Sequence, residues 1–281
     1  MLSVIIVNFH DPALLRLSLR SLARVLRPEL AHEVIVVDSE SSPETRNVVR
    51  HDCAGLFPRL LLVPFQENTG YTRGVNEGLR HAQGDVMLIL NPDIIIMPDT
   101  LEAMMHYLSE HPDVGLLGPG LLNMDESRQN SCFRFYTPAM MAARRARFPG
   151  SRRLADQLVM KDAVLDGPTD VDWVMGSALM TTRRALDAVG LMDEKFFLYV
   201  SEVDWAWRFW ENGLRVVYLP SVQMYHYHKR QSKGRFALFD IFFRPQSRWH
   251  AADAFRYFRK HGTTGHRPRG TAIRQPHLIA A

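Results

Sequence analysis

Leu2-Ser3-Val4-Ile5-Ile6-Val7-Asn8-Phe9-His10-Asp11-Pro12-Ala13-Leu14-Leu15 joins an apolar, β-branched run to a polar turn and a helix start. Val and Ile are stiff at χ1 and pack well on a pleated surface, so Leu2 to Val7 predicts a strand. That run lacks the in-out alternation of a half-solvated strand, which implies helices on both faces of its sheet. Asp11 then reads as an N-cap, Pro12 as the proline favoured at N1, and leucines 15, 19, 22 and 26 as one helical stripe.

The cycle repeats downstream. A strand at Val34 to Val37 ends in Asp38-Ser39-Glu40-Ser41-Ser42, and a helical stretch begins at Pro43. A strand at Leu60 to Pro64, a helix from Thr69 to Ala82 and a strand at Val86 to Leu90 follow. Strands alternating with helices predict an α/β fold with a mostly parallel, doubly wound sheet. After Asp93 the pattern gives a helix from Pro98 to Ser109 and a short strand near Val114 to Leu117, but residues 124 to 168 carry no clear period. Val171 to Thr181 reads as one strand, Glu202 to Asn212 as a helix closed by Gly213, and Arg235 to His261 as helical and broken at Pro245. The expected organisation is a main domain over 1 to 228, divided near 118, with a C-terminal extension over 229 to 281.

At 281 residues and 46% hydrophobic, the chain can bury a large core. Two cysteines, Cys53 and Cys132, cannot build a disulfide framework, and neither has a zinc-ligand neighbour. The first residues resemble no leader peptide, and the longest apolar stretch is cut by Asn91-Pro92-Asp93, so a cytoplasmic setting without a membrane span is expected. Residues 228 to 274 hold twelve Lys or Arg against two Asp, a local +10 that leaves −6 for the rest of a chain of net charge +4. Such a basic end suits nucleic acid, an anionic membrane surface or phosphorylated ligands, and charge alone does not choose.

In doubly wound sheets ligands sit beyond the carboxyl ends of the strands, where this chain offers Asn8, Asp38 and Asp93. No G-x-G-x-x-G follows the first strand and no G-x-x-x-x-G-K-[ST] loop occurs, which removes the main support for hydride transfer and P-loop chemistry. Asp38 can accept from a nucleobase or ribose, or simply form a turn. Asp93 can hold Mg²⁺ with help from a substrate diphosphate, or end a Pro-Asp turn. Glu67-Asn68-Thr69-Gly70-Tyr71-Thr72-Arg73-Gly74-Val75-Asn76 packs glycines, asparagines and an arginine into a strand-to-helix turn suited to backbone approach and phosphate pairing.

Asp193 to Asp204 places acids on both sides of Phe196-Phe197-Leu198-Tyr199. Ser201 and Asp204 have capping-box spacing, which leaves Glu202 unemployed and available as a general base. His226 and His228 share one face of a short strand and can reach a metal, or merely pack.

Taken in order, Val4 to Phe9, Val36-Val37-Asp38-Ser39, Glu67 to Tyr71 with Gly74 and Asn76, Leu90 to Asp93, Gly176, Phe196 to Tyr199, Arg208 and the His226 segment resemble family 2 of the inverting glycosyltransferases. Within that GT-A-fold family the resemblance is to the rhamnosyltransferase branch. It implies a nucleotide-sugar pocket of Asn8, Asp38, Asn68, Gly70, Arg73, Asn76 and Asn91. It implies that Asp93 is the last acid of the D-x-D metal motif, with Asn91 in the first acid's place and His226 as a further ligand to Mg²⁺ or Mn²⁺. The base aligns with Glu202, with Asp204 as its rival, and Trp173, Gly176, Asp193 and Tyr199 fall on the acceptor side.

The implied partners are a nucleotide-diphosphate sugar and a glycan or polyprenyl-linked acceptor, with no nucleic acid. Phe236 to Phe239 and Ile241 to Phe243, flanked by Arg235 and Arg244, suit a helix touching an anionic membrane surface or one covering the core, and a homodimer is a further candidate partner. The competing readings are a non-catalytic sugar-nucleotide-binding protein and a nucleotidyltransferase. The latter would carry a glycine-rich, basic loop where this chain has Phe9-His10-Asp11.

Overall fold

The computed structural model describes residues 1–144, 148–227 and 245–268. Strand β1 (Leu2–Phe9) leads to α1 (Pro12–Val25), then β2 (His32–Ser39), α2 (Pro43–Asn47), β3 (Leu60–Pro64), α3 (Gly70–His81) and β4 (Val86–Leu90). These four strands pair in parallel in the order β3-β2-β1-β4. Even positions of β1, Leu2, Val4 and Ile6, meet Leu15, Leu19 and Leu22 of α1, whereas Ile5 and Val7 meet Val75 and Leu79 of α3. Coverage of both faces is the reason β1 is apolar throughout. Helix α3 lies directly on β1: side chains at Gly74 and Gly78 would strike Val7 and Ile5.

Beyond β4 the sheet becomes mixed. Strand β5 (Ile94–Ile96), helix α4 (Thr100–Glu110) and the long β6 (Val114–Leu122) precede β7 (Cys132–Phe133), α5 (Pro138–Ala143), α6 (Ser151–Leu158) and β8 (Thr169–Asp170). The stretch Val171 to Thr181, read as one strand, is two: β9 (Trp173–Val174) pairs with β7, and β10 (Ala178–Thr182) joins the main sheet. Its break at Met175 to Ser177 lets the chain change sheets, an event with no periodic signature. β10 runs antiparallel between β4 and β6, and β11 (Arg215–His226) pairs parallel with β6 and antiparallel with β5. Helices α7 (Arg183–Val189) and α8 (Ser201–Glu211) complete this half.

Helix α9 (Pro245–His261) packs Tyr257, 1% exposed, into the same core as α3 and α8. The expected helix Phe236 to Phe243, the loop from Lys229, His228 and the last thirteen residues lie outside the described residues. Among the described residues no helix is long and apolar enough to cross a membrane.

Candidate active site

The ends of β1, β2 and β4 and the start of α3 enclose a cleft of about 270 Å³. It is lined by a wall of Phe9, Ser39, Asn68, Gly70 and Tyr71, continued by Phe197 against Gly70, then Leu198 and Trp249, and by a floor of Asn91 and Asp93. Gly70 sits at φ +73°, and a side chain there would collide with the carbonyl and ring of Phe197. Only glycine adopts that backbone cheaply and permits that approach. Asn68 accepts from the Gly70 N–H at 2.9 Å and fixes the turn, while Ser39 Oγ accepts from the Thr69 N–H at 2.8 Å. Ser39 is a contributor to this wall that the strand-end reading passed over, although it follows Asp38 directly.

Asn8 and Asp38, register partners on β1 and β2, are fully buried beneath this wall. Asn8 Nδ2 donates to Asp38 Oδ1 at 2.7 Å and to Thr45 Oγ1 at 3.3 Å. Asn8 Oδ1 and Asp38 Oδ2 remain without a hydrogen-bond partner, two acceptors whose burial is costly unless donors arrive.

The structure does not bring Arg73 or Asn76 to the cleft. Arg73 is half exposed, lies over Phe65 at 5.2 Å and pairs with Glu67 at 3.8 Å. Asn76 spends its amide on the 192–194 turn, donating to Met192 O and Glu194 Oε1 at 2.9 Å each and accepting from Met192 N at 2.9 Å. An asparagine in the second turn of a helix reads the same from sequence whether it grips a ligand or a neighbouring loop.

Antiparallel pairing of β11 with β5 sets His226 opposite Ile94 and so beside Asp93. His226 Nε2 lies 3.5 Å from Asp93 Oδ2, and Asp93 Oδ1 is buried without a hydrogen-bond partner. Gln129 Nε2 donates to His226 O at 2.9 Å, so its Oε1, 2.8 Å from His226 Nδ1, faces a ring N–H. Nε2 is thereby turned toward the Asp93 carboxylate, an arrangement suited to holding a cation between them. Asn91 Nδ2 reaches Ser177 Oγ at 3.3 Å, which in turn lies 3.4 Å from His226 Nε2. Among the described residues no three His, Cys, Asp or Glu are grouped so that they could hold a metal ion, so a cation here would draw its other ligands from substrate and water.

Gly176 separates this floor from Glu202. Its carbonyl accepts from Tyr71 O–H at 2.6 Å, and a side chain there would meet Tyr71 and, at 3.6 Å, Cβ of Glu202. Burial pushes the Glu202 carboxyl up to about 7, Asp253 adds to the rise, and its own backbone N–H, Arg144 and Ser201 oppose it. A carboxylate poised near neutral pH is suited to take a proton from a hydroxyl.

The capping-box reading of Ser201 and Asp204 is overturned. Val200 is the N-cap, in a left-handed conformation at φ 60° and without a side-chain cap, and Ser201 is the first helical residue. Asp204, fully buried, instead meets Arg208 one turn on in its own helix at 3.2 Å and, from α9, Lys260 at 2.7 Å and the His261 imidazole at 2.7 Å. Burial would raise its pKa, but the hydrogen bonds of His261 and Lys260 outweigh that and hold it low. Asp193 shares Lys260 at 2.9 Å and is likewise held low against its burial.

Asp204→Asn is therefore expected to destabilise the fold by about 3 kcal/mol, because it takes the carboxylate from the largely buried Arg208 and His261 and from the partly exposed Lys260. A depressed carboxylate stabilises above its unfolded pKa and loses that contribution as pH falls through the folded value. The gap in urea midpoint between wild type and variant should thus narrow below about pH 4.

Trp173 is core rather than surface: it stacks on Phe133 at 4.1 Å and donates to Arg134 O at 2.8 Å. Tyr199 lies against His250, ring centroids 4.8 Å apart. Asp253, which sequence reading left out altogether, is fully buried on α9 and accepts N–H groups from the Phe197 to Tyr199 turn.

The chain is similar to known proteins in sequence and fold. The family model "Glycosyl transferase family 2" covers residues 3–156. The chain is 28% identical over 251 residues to the N-acetylglucosaminyl-diphospho-decaprenol L-rhamnosyltransferase of Mycobacterium tuberculosis, covering 83% of this chain and 78% of that protein. It is 24% identical over 237 residues to the rhamnosyltransferase WbbL of Escherichia coli, covering 80% and 81% respectively. In three dimensions it superposes on the mannosyltransferase PcManGT of Pyrobaculum calidifontis, solved with GDP-Man and Mn²⁺, at TM-score 0.62 and 20% identity, over 95% of this chain and 65% of that one. Staphylococcus aureus TarS 1–349 with UDP-GlcNAc aligns at TM-score 0.57 and 19% identity, over 83% of this chain and 59% of that one. These likenesses establish the GT-A fold and set aside the nucleotidyltransferase alternative: the chain belongs to glycosyltransferase family 2.

Proposed function

We propose that this glycosyltransferase moves a sugar, with inversion, from a nucleotide-diphosphate donor in the 270 Å³ cleft to a hydroxyl of a glycan or lipid-linked acceptor. The observation that carries the reading is the pairing of two sites across Gly176. A carboxyl poised near neutral pH, Glu202, stands on one side and the Asp93–His226 pair on the other. Rhamnose is the proposed sugar because two relatives are rhamnosyltransferases, and a polyprenyl diphosphate carrier is proposed from the name of the mycobacterial one.

In this reading Glu202 takes the acceptor proton as the oxygen attacks the anomeric carbon, and no covalent enzyme intermediate forms. Asp93 and His226 fit a divalent cation, through the orphaned Asp93 Oδ1 and the Nε2 lone pair set by Gln129. Such an ion would supply positive charge to the departing diphosphate. The unpaired acceptors of Asn8 and Asp38 match donor groups of a nucleobase, provided the wall above them yields on binding.

The test is a panel of nucleotide sugars, beginning with dTDP-rhamnose, scored by thermal stabilisation with and without Mn²⁺ and by transfer to a polyprenyl-diphosphate-linked GlcNAc. One donor is expected to raise the melting temperature only when the cation is present. A panel without any stabilising donor would defeat the reading.

A further inference from the structure

We propose that Asp253 is a positioning residue for sugar transfer, holding the Phe197-Leu198-Tyr199 turn as the fixed wall of the donor cleft. The proposal rests on the functional reading above.

Three successive backbone N–H groups converge on this one carboxylate. Phe197 N lies 3.2 Å from Oδ2 and 3.3 Å from Oδ1, Leu198 N 3.2 Å and Tyr199 N 3.1 Å from Oδ2. Arg256 adds a bond at 3.0 Å. Asp253 is fully buried, and removing a carboxylate from water costs several kcal/mol unless such donors replace the solvent. The turn has no regular structure to satisfy those N–H groups, because it precedes the left-handed Val200 and the start of α8. Its register is therefore set from outside, by a residue more than fifty positions away.

Helix α9 grips the turn along one stripe. Trp249, four residues before Asp253 and so on the same face, packs on Phe197 with ring centroids 4.6 Å apart and itself lines the cleft. On the other side of the turn, Gly70 lies against Phe197, and Thr72 N reaches Phe197 O at 3.4 Å. Phe197 and Leu198 line the same cleft as Asn91 and Asp93, and in the functional reading the sugar lies beside them. Loss of the clamp should spare nucleotide binding, which the ends of β1 and β2 supply, and impair the geometry of transfer. A misplacement of about 1 Å at a reacting centre can cost about 10²-fold in rate.

The experiment uses the full chain with Mn²⁺ and compares wild type with Asp253→Asn, which keeps the shape and removes the charge. Calorimetry gives affinities for dTDP and dTDP-rhamnose, hydrogen exchange reports the amides of 197 to 199, and turnover is followed against pH. The variant should bind dTDP within about threefold of wild type, lose about tenfold in dTDP-rhamnose affinity relative to dTDP, and lose about 10²-fold in kcat. Exchange at 197 to 199 should accelerate. Because a negative charge near Glu202 is gone, the acid limb of the profile should move to lower pH, with Arg144 and Ser201 left as its polar neighbours.

An unchanged affinity ratio together with kcat within threefold of wild type overturns the proposal. So does a loss of dTDP affinity equal to the loss of turnover, which marks a general structural defect. If Asp253→Asn does not fold, Asp253→Glu decides by the same criteria, since it keeps the charge and displaces it by one methylene. A wild type that binds donor but transfers no sugar defeats the functional reading alone, because exchange and the affinity ratio still report on the clamp.

Discussion

Glu202→Gln is expected to lower kcat by about 10² to 10⁴ while leaving donor affinity nearly unchanged, the signature of a lost proton acceptor. The amide keeps the side chain's size beside Gly176 and Tyr71, so the fold should hold. In the wild type, activity should rise with pH through about 7 and then level, as Glu202 loses its proton, and the variant should lack that limb. A second measurement follows from the same displacement. Between the ordinary carboxylate value of 4.5 and about 7 the folded chain binds more protons at Glu202 than the unfolded chain does, so stability falls as pH rises through that window. Glu202→Gln removes this penalty, and its melting temperature relative to wild type should be higher at pH 8 than at pH 5. Near-normal kcat in Glu202→Gln, with loss of turnover but not of stability in Asp204→Asn, would make Asp204 the base instead.

The second large effect belongs to the floor of the cleft. Asp93→Ala should abolish stimulation of turnover by Mg²⁺ or Mn²⁺, a contribution of several kcal/mol when a cation neutralises a leaving diphosphate. The variant should fold, because Asp93 lies in the turn between β4 and β5 at the cleft and one of its oxygens has no hydrogen-bond partner to lose. His226→Ala should weaken the cation requirement less, since one imidazole is a smaller share of the site than a carboxylate and diphosphate together. Equal turnover of Asp93→Ala and wild type at saturating Mg²⁺ would remove the metal from the mechanism.

What could be read from sequence is whatever burial writes as a local period. The apolar runs of β1, β2 and β4 and the leucine stripe of α1 settle the first half of the sheet, because its strands are covered on both faces, β1 by α1 on one and by α3 on the other. Asn8 and Asp38 near the ends of β1 and β2, Asp93 in the turn after β4 and the Gly70 turn follow from that frame, and the ordered motifs resemble the family whose model the chain matches, whereas Glu202 stands out in the sequence through a capping box that the structure does not contain. Tertiary structure alone decided the rest. The break between β9 and β10, the β11–β5 pairing that puts His226 beside Asp93, and the diversion of Asn76 to the 192–194 turn leave no period in the sequence. Asp204 and Asp253 show why. Each is partnered by groups 54 to 57 residues away, on the far side of a chain reversal, and a carboxylate that caps its own helix is spelled the same as one held by a distant lysine, histidine or backbone turn. Periodicity reports which face is buried, and only packing reports what lies against it.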